Sequence, residues 1–309
     1  REPSQELRKR VRQHAVAEEN TEMELGFVSF LCELIGKAIP LECMQMRFMQ
    51  EAMLGLILVA PMAAVAGTQV VNFRMAFFSD AIGHSAFAGV AFGLILSISP
   101  NLTMPLLAVI VGLGIMAVKQ RSGLSTDTII GVFFSAVVAS GLAVVSRYPQ
   151  AARDMQMFLY GDILTISDQE IAALFGLLAV FLLFQYFSFN KLICIGLNLQ
   201  LAKAHRIKVR IHQYLFAALL SLIVIFSVKA VGVLLVTAML ITPAAAARNL
   251  ASSYGRMLWI SVLISIVCAV AGLLLSAQEW MRTAAGATIV ICTCAIFCVS
   301  LIFRRHFRS

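Results

Sequence analysis

Apolar runs of about 18 residues or more recur from Gln50 almost to the end of the chain, each long enough to cross a hydrocarbon core of about 30 Å as a helix. In lipid the backbone must satisfy its own hydrogen bonds, so a chain that returns to lipid this often is held to helices. The runs place spans at 50–71, 75–98, 103–119, 128–146, 169–189, 211–229, 231–247, 257–277 and 283–304. That is nine crossings, or eight full ones if the short 231–247 segment, which runs into Thr242-Pro243, is broken or re-entrant. Over 309 residues, 60% are hydrophobic, 13% are charged and the mean hydropathy is +0.90. The expected fold is therefore an all-α polytopic membrane protein, with about 8–9 transmembrane helices in one bundle over residues 48–309.

Two segments precede the bundle. Residues 1–22 are polar and mixed in charge, with RKRVR early and EENTE late and no apolar stretch after the basic run, which argues against a signal peptide. The chain opens on Arg1 and has its first methionine at Met23, which leaves open whether residues 1–22 are native. Residues 23–47 begin with Met23–Leu41, where Phe27, Phe30, Leu31, Leu34 and Ile35 alternate with Glu24, Glu33 and Lys37. That pattern predicts an amphipathic helix lying in the interface, too polar to span.

The formal charge of +8 would suggest nucleic acid in a soluble protein. Here the cations cluster between spans, where they mark the cytoplasmic side and anionic lipid headgroups, so no nucleic-acid partner is expected. Arg74, the Lys119–Arg121 turn, the Lys203–Arg210 run, Arg248 with Arg256 and the RRHFR tail fall on one side if crossings alternate. The positive-inside rule makes that side cytoplasmic. The seven cysteines include no CxxC pair and lie mostly in or beside apolar segments, which suits small packing residues; of Cys292, Cys294 and Cys298, only the last two share a helix face.

Asp80 and His84 stand four residues apart in RMAFFSDAIGHSAFAGVAFG (Arg74–Gly93), a spacing that stacks two side chains on one helix face. Of the 16 acids in the chain, Asp80 is the only one well inside a predicted span. Such an acid costs about 3 kcal/mol or more on insertion scales and marks function by default. Counting from Arg74, Asp80 would lie roughly 9 Å and His84 roughly 15 Å into the core, the second near the midplane. A carboxylate and a neutral imidazole suit manganese, iron or zinc better than a sugar or a lipid. The competing reading is that the two pair with each other to silence a buried charge. On the short span, Thr237, Thr242 and Pro243 are candidates to line a pore.

Residues 191–210, KLICIGLNLQLAKAHRIKVR, are too polar to enter the membrane and would face the cytoplasm, either as a loop held by anionic lipid or as a docking surface. There is no GxxxxGK[ST] motif, so no ATP site of its own is expected, and no HExxH. The YGD triplet Tyr160–Asp162 lacks a second intramembrane acid beside Asp80, which an aspartyl protease would need. These absences argue against an ATP-binding or proteolytic enzyme.

Four blocks together are specific: NFRMAFFSDAIGHSAFAGVAFG (Asn72–Gly93), LYGDIL (Leu159–Leu164), Asn198–Val209 and VGVLLVTAMLITPAAAARNLA (Val231–Ala251). Through them the sequence resembles the membrane permeases of bacterial ABC-type manganese, zinc and iron uptake systems, over roughly Phe48–Phe303. The resemblance implies a permease of the bacterial cytoplasmic (inner) membrane, paired with a second copy as a homodimer or with a close paralogue. It implies a cytoplasmic ATPase subunit and an extracytoplasmic metal-binding protein that delivers the ion. The metal, manganese, zinc or iron, is cargo, and no cofactor is bound permanently. Asp80 and His84 are then the metal contacts, and Asn198, Leu201, Ala202, His205 and Arg206 belong to the segment that couples to the ATPase. The family usually opens that segment with an acid and follows its small-residue helix with a glycine, where this chain has Asn198 and Arg206. On the outer face, Arg147 and Arg153 are candidates to pair with acids of the delivering protein. The alternative from another class is a self-contained cation carrier or channel driven by a gradient; proton-coupled carriers usually show more than one intramembrane acid.

Overall fold

The computed structural model describes residue 26 and residues 28–37, 42–147, 164, 166–278, 281 and 283–307. The expectations for residues 1–22, for Arg153 and for most of the LYGDIL turn concern positions outside these. Among the described residues every regular element is a helix. A short helix α1 covers 28–37, and a single 3-10 turn, Glu42–Gln45, leads into α2 (Arg47–Asn72). There follow α3 (Phe78–Leu96), α4 (Pro100–Arg121), α5 (Thr126–Arg147), α6 (Asp168–Leu197), α7 (Leu199–Ala204) and α8 (Val209–Val231). The chain closes with α9 (Val233–Leu250), α10 (Tyr254–Ser276) and α11 (Ala285–Phe307).

Eight of these, all the long helices except α3, are long and apolar enough to cross a membrane. At 19 residues α3 is about 28 Å long, and it runs back between α4 and α5, so it supplies a further crossing. The broken-helix alternative for 231–247 is not what the chain adopts: α9 is continuous through Pro243. Membrane helices tolerate an internal proline where neighbouring helices re-satisfy the freed backbone group. The break lies instead at Gly232, whose φ of 84° and ψ of 159° belong to a region open essentially to glycine alone. The other large difference is α6, expected to stop at 189 and extending to Leu197; Lys191 sits on its exposed side and does not end it.

The bundle is built around α2, of which 83% of the most apolar window is buried, with α6, α9 and α10 packed on it. The contact with α9 is backbone on backbone: a Cβ placed on Gly67 would fall on the carbonyl oxygen of Leu240. On the α10 side, Ser265 donates to the carbonyl of Ala60 at 2.9 Å and Ser261 to that of Ala64 at 3.5 Å. Small residues and interhelical hydrogen bonds replace the hydrophobic drive that lipid removes.

The outer ends are tied by ions. Arg47 bonds Glu51 at 2.7 Å on its own helix and Asp168 at 2.9 Å on α6. Lys229, near the end of α8, reaches Asn101 on α4 at 3.0 Å and Glu170 on α6 at 3.7 Å. Ser167 caps α6, accepting from the Glu170 amide while the Glu170 carboxylate accepts from the Ser167 amide. Helix α1 docks beside this cluster by Val28 and Cys32, with Phe30 and Leu34 exposed. Burial, with the Glu51 carboxylate second, pushes the Cys32 thiol up to about 11, so it stays protonated and serves as packing.

Because a backbone oxygen cannot move aside as a side chain can, Gly67→Ala should force α2 and α9 apart. The expected cost is at the upper end of the roughly 1–3 kcal/mol typical of overpacking, read as a lowered melting temperature of the purified protein, whereas Gly131→Ala, where the added methyl meets open space inside α5, should not lower it and should raise it slightly, alanine being the better helix former.

Candidate functional site

The site is positioned by the turn that joins α2 to α3. Met75 N–H donates to Val70 C=O at 3.0 Å and Arg74 N–H to Val71 C=O at 3.3 Å, the paired bonds of a Schellman ending, with Arg74 at φ 53° where glycine is usual. That turn occupies Arg74–Phe77, so α3 starts at Phe78, three residues later than expected, and Asp80 falls in its first turn. The rise counted from Arg74 therefore overstates a helical depth, since the first residues after Arg74 are turn and not helix. His84 follows one turn on, facing the same way, as the four-residue spacing predicts.

Both side chains are half-buried and line one cavity of about 940 Å³. The Asp80 carboxylate interacts with the His84 imidazole and with the Thr237 hydroxyl of α9, which itself donates to the Leu234 carbonyl at 3.2 Å. The imidazole is fixed by two aromatic rings: Phe134 of α5 meets it edge-on at 5.1 Å, and Phe87 of α3 lies 5.6 Å away at 32°. Close by, the joint between α8 and α9 contributes Val231 and Val233, the second against Gly83 of α3. From Asp80 and His84 the cavity extends to Met46, Phe48 and Met49 at the start of α2, Ser276 and Ala277 at the end of α10, and Thr283–Ala287 at the start of α11. Those are the outer ends of their helices, so the cavity is a vestibule with one acid and one imidazole set along a mostly apolar wall.

Of the pore candidates, Thr237 lines the vestibule; Thr242 is half-buried further along α9 and Pro243 is buried, and neither reaches it. The sequence did not point to Ser276 or Thr283, because nothing in a linear apolar pattern marks which helix ends converge.

On the opposite side, α6 passes into α7 through Asn198. Its side-chain oxygen accepts from the amides of Gln200 at 2.9 Å and Leu201 at 3.2 Å. Helix α7 buries Ala202 and exposes Leu201, Lys203, His205 and Arg206. It ends as α2 does: Ile207 N–H donates to Ala202 C=O at 3.0 Å and Arg206 N–H to Lys203 C=O at 2.9 Å, with Arg206 at φ 55°. Arg147 stands exposed at the outer end of α5, remote in sequence from both sites.

A bundle of membrane-spanning helices with a polar pair in a vestibule toward one end and a short exposed helix between two long ones at the other has the make-up of a transport permease. The model of the ABC 3 transport family matches residues 45–304, and the chain belongs to that family. It is 30% identical over 256 residues to the high-affinity zinc uptake system membrane protein ZnuB of Haemophilus influenzae, covering 82% of this chain and 97% of that protein. It is 32% identical over 257 residues to the manganese import system permease protein ScaB of Streptococcus gordonii, covering 82% of this chain and 90% of that protein. Among solved structures it is similar to PsaBC from Streptococcus pneumoniae in complex with Fab, with a TM-score of 0.71, 29% identity, and coverage of 82% of this chain and 91% of that one. The chain is thus a multi-pass membrane permease of an ABC transporter.

A residue other than glycine in the left-handed region costs about 1 kcal/mol or more. Arg206→Gly should therefore stabilise the turn after α7 by about that amount, seen as slower amide hydrogen exchange at Ile207 in the purified protein; unchanged or faster exchange would show that the Arg206 side chain supports the turn.

Proposed function

We propose that this permease passes a divalent transition metal, manganese, zinc or iron, into the bacterial cytoplasm, and that Asp80 and His84 hold the dehydrated ion on the way. The observation that carries the reading is the placement of these two donors together along the vestibule wall, on one face of α3, in a chain of this family. A hard carboxylate with a borderline imidazole matches those three ions. Two donors bind weakly, and a conducted ion must be able to leave.

Among the described residues no group of three or more His, Cys, Asp or Glu side chains is gathered to hold an ion. One copy therefore offers half of a four-ligand site, which supports pairing with a second copy or a close paralogue whose Asp80 and His84 face the first across the pathway. The metal is cargo, and ATP hydrolysis belongs to a cytoplasmic subunit, since the chain carries no phosphate-binding loop. The seat for that subunit is the exposed face of α7 and its turn, with Asn198, Leu201, His205 and Arg206 outward and Ala202 anchoring it to the bundle. A delivering protein would meet the outer rim, where Arg147 offers a cation to its acids; Arg153 is the second candidate in the same stretch of sequence.

The test is uptake of radiolabelled manganese, zinc and iron by cells expressing the chain with its ATPase and binding protein. Asp80→Asn and His84→Ala should each cut uptake of one metal by more than about tenfold, at least the loss produced by removing a mere partner of a ligand. Amounts of assembled permease in the membrane should stay unchanged. Wild-type uptake in both variants would return the pair to a packing role.

A further inference from the structure

The outer mouth of the vestibule carries a second set of donors with a different chemistry. Cys43, Met46 and Met49 recur at three-residue intervals, and all three line the same cavity as Asp80 and His84. Their local structure explains why they fall together. Cys43 lies in the 3-10 turn Glu42–Gln45, which runs directly into Met46 along the cavity wall. Met46 is the N-cap of α2, and Met49 follows it at a spacing that keeps neighbours on one helix face. Cys43 is a free thiol, half-buried; Met46 is half-exposed and Met49 is buried. The wall around them is apolar, with Phe48 beside them.

From this arrangement we propose that Cys43, Met46 and Met49 form a soft-metal site at the vestibule mouth, suited to copper(I). A thiolate with two thioethers selects soft ions and is a poor match for manganese, whereas Asp80 and His84 offer oxygen and nitrogen. Three ligands suffice for copper(I), and the cavity gives the ion access from outside. The site stands at the outer end of α2, which Arg47 ties to Asp168 and Glu51, so its backbone is held before any ion arrives. Its existence does not depend on the proposed cargo. Its consequence does: if the vestibule is the metal's route, copper(I) bound at the mouth obstructs uptake.

Competition for copper(I) against a chromophoric chelator, under anaerobic conditions and with the purified permease–ATPase complex, tests the site. Wild type should withdraw one equivalent per permease copy, and so should the Asp80→Asn/His84→Ala double variant, which separates this proposal from the reading of the deeper pair. Cys43→Ser should lose that equivalent, and Met46→Leu/Met49→Leu, which keeps the apolar volume, should weaken it at least tenfold. A variant retaining Cys43 as its only cysteine should keep it. Equal withdrawal by wild type and Cys43→Ser, or none by wild type, would overturn the proposal. In cells, copper(I) should inhibit uptake in wild type and spare it in Cys43→Ser; equal inhibition in both would refute the obstruction.

Discussion

A carboxylate carried into a bilayer must be paired, hydrogen-bonded or given a polar cavity, and the neighbourhood of α3 meets that demand for Asp80. The acid enters in the first turn of its helix, next to the imidazole one turn on and within reach of the Thr237 hydroxyl from α9. For those groups to converge, α9 must begin beside α3, where Val233 packs against Gly83. Gly232 makes this possible, since only a residue without a Cβ can end one 23-residue helix and start another in consecutive positions at φ 84°. The close approach of α9 to α2 at Gly67 then fixes the angle at which Thr237 is presented. The polar site thus depends on two glycines that make no contact with any ion.

The crossings were readable because lipid imposes a length and an apolarity that a sequence must display openly. The Asp80–His84 pair was readable for the same reason, as a charge stands out against an apolar background. The vestibule was not. Its rim comes from the start of α2, the end of α10 and the start of α11, residues such as Ser276 and Thr283 whose neighbours in space are some 230 positions away in the chain. Thr242-Pro243 gave the opposite error: a proline suggested a broken helix, while the packed neighbours of α9 hold it continuous and the glycine eleven residues before that proline carries the break. Helix ends misled in a similar way, because three of the turns use Arg74, Ser97 and Arg206 in the left-handed region where glycine would have announced a stop.

The two departures from the family pattern around α7 have physical explanations. Asn caps a helix about as well as Asp, and Asn198 does so with bonds to two amides, so the cap survives the loss of the acid. What changes is charge: the segment gains a net positive character beside Lys203, His205 and Lys208. The family glycine corresponds to a position that needs φ near 55°, and Arg206 accepts that conformation at a cost while carrying its guanidinium out to the exposed face.

Helix α8 joins the two ends of this arrangement. It starts at Val209, directly after the turn at Arg206, and its last residue, Val231, lines the vestibule beside Gly232. At 23 residues it is a rod of about 35 Å, held along its length by α4 and α6 and at its outer end by Lys229 on Asn101 and Glu170. A packed helix moves as a body, because dense contacts leave it no graded way to bend. A push on α7 would, on the proposed reading, travel along this rod to Gly232, five residues before Thr237. On the proposed reading, this is how a subunit that never touches the ion alters its surroundings: the rod carries the displacement, and the glycine converts it into a change of angle at the site.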